Sequence, residues 1–241
     1  MKYLIIIQLL FLGLAVNAQD TTVCPCQKEV NEAFVSNLKG QIYHGMQSLV
    51  GTEFYNESYS SGDIMLEGGE VVKDQQIRYN GRIDGILLLP PKSAVEILLN
   101  TYFLKGFCLK NSKGNYDHCF TKLKVIKEFG SDSSLIYGEI LYQNKLSLYA
   151  YRRYAFDKEV IVDVANARIA QSKFGPSFIY YFKLPNGRTI GFKKFRKRNL
   201  YQLFPGNKEL MRQLFKEKHQ RRFSDEQDLI KIAEILNLMY K

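Results

Sequence analysis

Histidines, cysteines and facing carboxylates are the side chains that could do chemistry in this chain, and they are few or scattered. The 241 residues contain three histidines, His44, His118 and His219. None stands in H-E-x-x-H or another paired spacing that would hold zinc. There is no G-x-S-x-G nucleophile elbow, no Walker lysine and no G-x-G-x-x-G turn, so neither a cofactor nor a metal is expected. Acids are plentiful in the first half: Asp63, Glu67, Glu70, Asp74 and Asp84. A glycosidase needs two of them across a cleft, and His118 beside an acid in a polar pocket would serve another hydrolase. Both pairings are made in space rather than along the chain, so no catalytic residue is assigned here.

The cysteines depend on the compartment. Lys2 is followed by an apolar stretch from Leu4 to Val16 and by Val16-Asn17-Ala18, which reads as a signal peptide over residues 1–18 cleaved after Ala18. The stretch is too short to span a bilayer, so no transmembrane span is expected after cleavage. Gln19 rather than a cysteine follows, which argues against a lipid anchor. The expected destination is the periplasm, the outer-membrane periphery or the medium, where disulfides persist. Cys108 and Cys119 flank a polar stretch centred on Gly114 with apolar runs on both sides. They are expected to bridge two antiparallel strands, stabilising the fold by roughly 2–4 kcal/mol. Cys24-Pro25-Cys26 stays open between a second disulfide, a tie to the body of the protein, and a thiol redox or metal role.

The elements that must position these groups come next. Val30, Phe34 and Leu38 recur every four residues before Gly40, predicting a short helix in an N-terminal segment, 19–41. Residues 42–204 then form a series of short apolar runs. Gly62-Asp63, Gly68-Gly69, Asn80-Gly81, Pro90-Pro91 and Gly114-Asn115 punctuate them. Strands are predicted around Ile64–Leu66, Gln75–Tyr79, Ile83–Leu89, Val95–Leu99 and Phe103–Leu109, and a tight hairpin at Asn186-Gly187. The stretch 159–175 reads equally as strand or helix and is left unassigned. Residues 205–241 predict a helical hairpin packed on the sheet, with Asn207 capping its first helix and Ser224 and Gln227 forming a capping box on its second. The fold class is therefore mainly β, an antiparallel meander, sandwich or barrel-like sheet with flanking helices (α+β), and a doubly wound parallel sheet is disfavoured.

Charge is uneven. The formal net charge is +10, and between Lys173 and Arg222 there are 14 Lys and Arg against two acids. This excess marks a surface for an anionic partner, either an envelope component or another envelope protein. Tyr181, Lys193, Lys194, Arg196, Lys197 and Arg198 are the candidate interaction residues. Nucleic acid is disfavoured by the export signal and by the lack of an RNA-binding aromatic signature. Sixteen tyrosines and sixteen phenylalanines, clustered at Phe54-Tyr55, Tyr149-Tyr151-Tyr154 and Tyr180-Tyr181, suit sheet packing or, on an open face, stacking on sugars or peptides.

Three stretches carry a resemblance: GTEFYNESYSSGDIMLEGG leading into QQIRYNGRIDGILLL, KKFRKRNLYQLFPGNKELMRQLFKEK, and SDEQDLIKIAEILN. Together with the signal ending in NAQ, the chain resembles a family of exported Bacteroidetes-type proteins of unknown function. The resemblance implies export and a sheet closed by two helices, and it brings no catalytic residues. The functional expectation is a non-enzymatic binding or structural component of the cell envelope. The alternatives are an envelope hydrolase acting on glycan or peptide, and a thiol or metal role at Cys24 and Cys26.

Overall fold

Short β-branched and aromatic runs broken by turns cannot form long helices, and in the computed structural model they pair into one large antiparallel sheet. The structure describes residues 38–45, 49–126, 133–164, 167–193, 200–201, 204, 206–218 and 225–240. The sheet has eleven strands in the order β1-β6-β5-β4-β3-β7-β8-β9-β10-β13-β14. Its first half comprises β1 (Gly40–Ile42), β3 (Ser60–Leu66), β4 (Val71–Asn80), β5 (Gly85–Leu89), β6 (Ile97–Leu99), β7 (Leu104–Lys110) and β8 (Tyr116–Ile126). Its second half comprises β9 (Ser133–Tyr142), β10 (Ser147–Tyr151), β13 (Ile179–Lys183) and β14 (Thr189–Phe192). A smaller sheet joins β11 (Tyr154–Val164), β12 (Ala167–Pro176) and β2 (Leu49–Gly51), with β2 parallel to β12. Among the described residues two helices of more than one turn follow, α1 (Lys208–Glu217) and α2 (Glu226–Asn237). Neither they nor any other helix among the described residues is long and apolar enough to cross a membrane.

The fold class agrees with the sequence reading, and so does the Cys108–Cys119 disulfide. The two cysteines face each other directly across β7 and β8, as the turn centred on Gly114 requires. Asn186-Gly187 lies in the β13–β14 turn, where Gly187 donates its N–H to the Leu184 carbonyl at 2.9 Å.

Several local expectations are corrected. Gly62-Asp63 is not a turn but the middle of β3, at a register shift. A Cβ on Gly62 would sit 2.5 Å from the Cys108 carbonyl oxygen, so glycine is needed there for close approach between strands. Residues 81–84 form a turn, so β5 starts at Gly85 instead of Ile83, and β6 starts at Ile97 instead of Val95. Of the unassigned stretch, 159–164 belong to β11 and 167–175 to β12, where Val160, Ile161 and Val162 pair with Gln171, Ala170 and Ile169. Asp225, not Ser224, caps α2 by accepting the N–H of Asp228 at 2.8 Å. Asn207 does cap α1, but without a side-chain hydrogen bond. The predicted helix before Gly40 falls almost wholly outside the described residues; Leu38 and Lys39 are not helical and Gly40 opens β1.

The sheet buries apolar groups on both faces. One row of facing residues runs across seven strands: Ile64, Phe107, Phe120, Glu139, Ala150, Tyr180 and Phe192. Its first three residues belong to a core with Ile77, Tyr79, Ile86 and Tyr137. Its far end belongs to a second core, where Leu148, Phe182 and Phe192 meet Met211, Phe215, Leu229, Ile232 and Leu236 of the two helices. Glu139 is the one charged residue in the row and stands between the two cores. On the opposite face Leu123, Val125, Ile136 and Tyr149 form a third core, and β14 comes back against β8.

Candidate functional site

A buried carboxylate between two apolar cores must be paired, and Glu139 is paired twice. One oxygen lies 2.5 Å from His118 Nδ1. The other accepts a hydrogen bond from Nε of Arg152. Arg152 follows the last residue of β10 and is only 5% exposed. Its Nη2 donates to Glu226, the first residue of α2, at 2.9 Å. The Tyr55 hydroxyl lies 3.1 Å from His118 Nδ1, and its ring packs edge-on against both His118 and Phe120. Glu139 thus occupies both cations with one carboxylate, and Arg152 ties the start of α2 to the sheet.

Local backbone explains why Arg152 points there. The chain leaves β10 and turns into β11, and Tyr154 donates its N–H to the Gly81 carbonyl at 3.0 Å. A Cβ on Gly81 would lie 2.1 Å from the Arg152 carbonyl oxygen. Glycine at position 81 lets the Asn80–Asp84 turn close against this bend and fix the root of the arginine.

His118, Glu139, Arg152 and Glu226 line a cleft of about 770 Å³. The β7–β8 turn and the start of β8, His118 and Asp117 included, form one side. Ile140 and Leu141 of β9 and Gln227 and Ile230 of α2 complete it. His118 is half-buried; its Nε2 lies 3.3 Å from the Asp117 carboxylate. Both ring nitrogens therefore face acids. The hydrogen bond to Glu139 outweighs burial and raises the His118 pKa above its ordinary value. Arg152 is likewise raised by Glu226 and Glu139 against the cost of burial.

The acids singled out in the sequence lie elsewhere. Asp63 and Asp74 share Lys110, whose Nζ is 2.6 and 2.7 Å from them, and Tyr116 donates its hydroxyl to Asp63. Glu67 pairs with Lys122 at 2.5 Å, and Glu70 precedes β4. Asp84 turns its carboxyl inward, accepting from the Tyr79 hydroxyl at 2.6 Å and from the Tyr137 N–H at 3.2 Å. Among the described residues no group of three His, Cys, Asp or Glu could hold a metal ion.

Of the predicted interaction residues, Tyr181 is half-buried against the third core and Lys193 is exposed just beyond β14. Lys194, Arg196, Lys197, Arg198, Cys24 and Cys26 lie outside the described residues. Glu139, Arg152 and Glu226 were not singled out in the sequence. The available signal was a charge inside an apolar run: Glu139 in LIYGEILY and Arg152 in LYAYRRYAF. Such residues are seldom buried unless paired. No known protein family, curated protein or solved structure matches the chain.

Proposed function

We propose that this protein is an exported, non-enzymatic binding or structural component of the cell envelope, engaging an anionic partner through a basic surface at the β13–β14 and α1 end of the fold. The observation that carries the reading is the concentration of exposed cations there. Lys183 and Arg188 flank the β13–β14 turn, Lys193 follows β14, and Lys208, Arg212, Lys216 and Lys218 lie on or beside α1; all are exposed. The segment holds only two acids, Glu209 and Glu217, and Glu209 is taken by Arg212 at 2.5 Å. Met211 and Phe215 bury the other side of α1 in the same core as Phe182 and Phe192, which leaves the cations facing water. The N-terminal leader pattern and the resemblance to exported proteins support the location.

The hydrolase alternative draws on His118 and Glu139 in the cleft. It is disfavoured because both ring nitrogens of His118 already face carboxylates, which favour its protonated form over a free base.

Two triple alanine variants test the proposal on vesicles containing anionic lipid, with protein recovered from the envelope fraction and its N-terminus read for processing at Gln19. One changes Lys183, Arg188 and Lys193; the other changes Lys194, Arg196 and Lys197. At least one should release the protein at lower salt and flatten the salt dependence. Folded variants that both bind like the parent, or a parent indifferent to salt, would remove the proposal.

A further inference from the structure

We propose that the cleft beside His118 is a second binding site, taking an alkylammonium group carried on an apolar stem, such as a lysine side chain or a free diamine. The charge balance carries this. Among the described residues that line the cleft, three carboxylates, Asp117, Glu139 and Glu226, meet one guanidinium and one imidazole. Arg152 is buried and already held by Glu139 and Glu226, so it has little left to offer an anion. The surplus negative charge sits at the solvent side, where the Asp117 side chain is 56% exposed and that of Glu226 30%. Glu226, in the first turn of α2, and the capping Asp225 offset the positive end of the helix dipole. Ile140, Leu141 and Ile230 form an apolar wall beside these acids. An acidic rim over an apolar wall matches a cation on a hydrocarbon stem, as lysine places its own methylenes on apolar surface and its ammonium in polar surroundings. The site is distinct from the basic end proposed above, and of opposite sign.

Proton NMR of the full folded chain, following the His118 ring signals, reads the binding. The probes are hexylamine, 1,6-diaminohexane and a short lysine-containing peptide, with hexanol and hexanoate as neutral and anionic counterparts. The amines should bind with a Kd of about 1 mM or tighter, the range open to ligands this small. They should bind more tightly than hexanol, with hexanoate weakest. A bound ammonium near the imidazolium should lower the His118 titration midpoint. Asp117→Asn, at an exposed position that leaves the Arg152 pairs intact, should weaken the amines by about fivefold. Peptide and diamine binding alike points to a protein-borne lysine, and diamine binding alone to a free polyamine. The proposal is overturned if hexanoate binds as tightly as hexylamine, if the His118 signals ignore the amines, or if Asp117→Asn leaves their affinity unchanged.

Discussion

At the scale of single residues, the structure turns on polar groups that close gaps between strands. β10 pairs with β9 only as far as Glu139, leaving the N–H of Tyr137 without a strand partner on that edge. Asp84, reaching from the β4–β5 turn, accepts it. Burial raises the Asp84 pKa to about 6, even though the bonds from Tyr79 and Tyr137 act to lower it. A pKa raised from 3.8 means the folded state binds the proton more tightly than the unfolded one. The stabilising contribution is therefore full below about 3.8 and lost as pH rises to about 6. Asp84 also adopts φ 53°, a conformation that asparagine tolerates. Asp84→Asn keeps one acceptor oxygen, whose two lone pairs can take the bonds from both Tyr79 and Tyr137, and removes the buried charge. It should raise stability at pH 7.5 by about 1–3 kcal/mol and have little effect at pH 4. Urea unfolding at the two pH values measures this, and a loss at pH 7.5 would show that the carboxylate itself holds the turn.

At the scale of elements, stability is unevenly spread. The β7–β8 hairpin is cross-linked by Cys108–Cys119 and flanked by β3 and β9. Cys108→Ser with Cys119→Ser should cost about 2–4 kcal/mol in urea unfolding, and an unchanged midpoint would mean that the neighbouring strands already fix this turn. The β11–β12 ribbon has no such support. Among the described residues three of β2 pair with β12, and Ile161 is 72% exposed. This contrast explains what could be read in advance. Cys108 and Cys119 were legible because a polar turn between two apolar runs fixes their partners locally. The ribbon was not, because VANARIAQSKF satisfies both periodicities and strand pairing decides between them. The start of α2 was one residue off because Ser224 and Asp225 are both good caps. Glu139 and Arg152 were illegible as a pair, since only the turn against Gly81 and the register of β9 on β10 bring them together.

At the scale of the whole molecule, the buried ionisable groups set a shared response to pH. His118, raised by Glu139, contributes stability fully below its unfolded value of 6.5 and loses it as pH rises through its folded value. Asp84 acts in the same direction at lower pH. Glu53 and Asp63 oppose them. Burial pushes both upward, but Tyr43 and Arg82 on Glu53, and Lys110 and Tyr116 on Asp63, hold them below their ordinary values. Their contributions are present above 4.5 and 3.8 and are lost as pH falls through the lower folded values. The two sets overlap between roughly pH 4.5 and 6, where the melting temperature should be highest. Above pH 6.5 it should fall, because the stability held in the His118–Glu139 contact, at the seam that joins both cores to α2, is lost as pH rises through the raised folded value of His118. Replacing His118 with Gln, in the Asp84→Asn background, should flatten that fall without moving the acid limb, which belongs to Glu53 and Asp63. A melting temperature that keeps climbing to pH 8 would mean that groups other than these four govern the stability of the sheet.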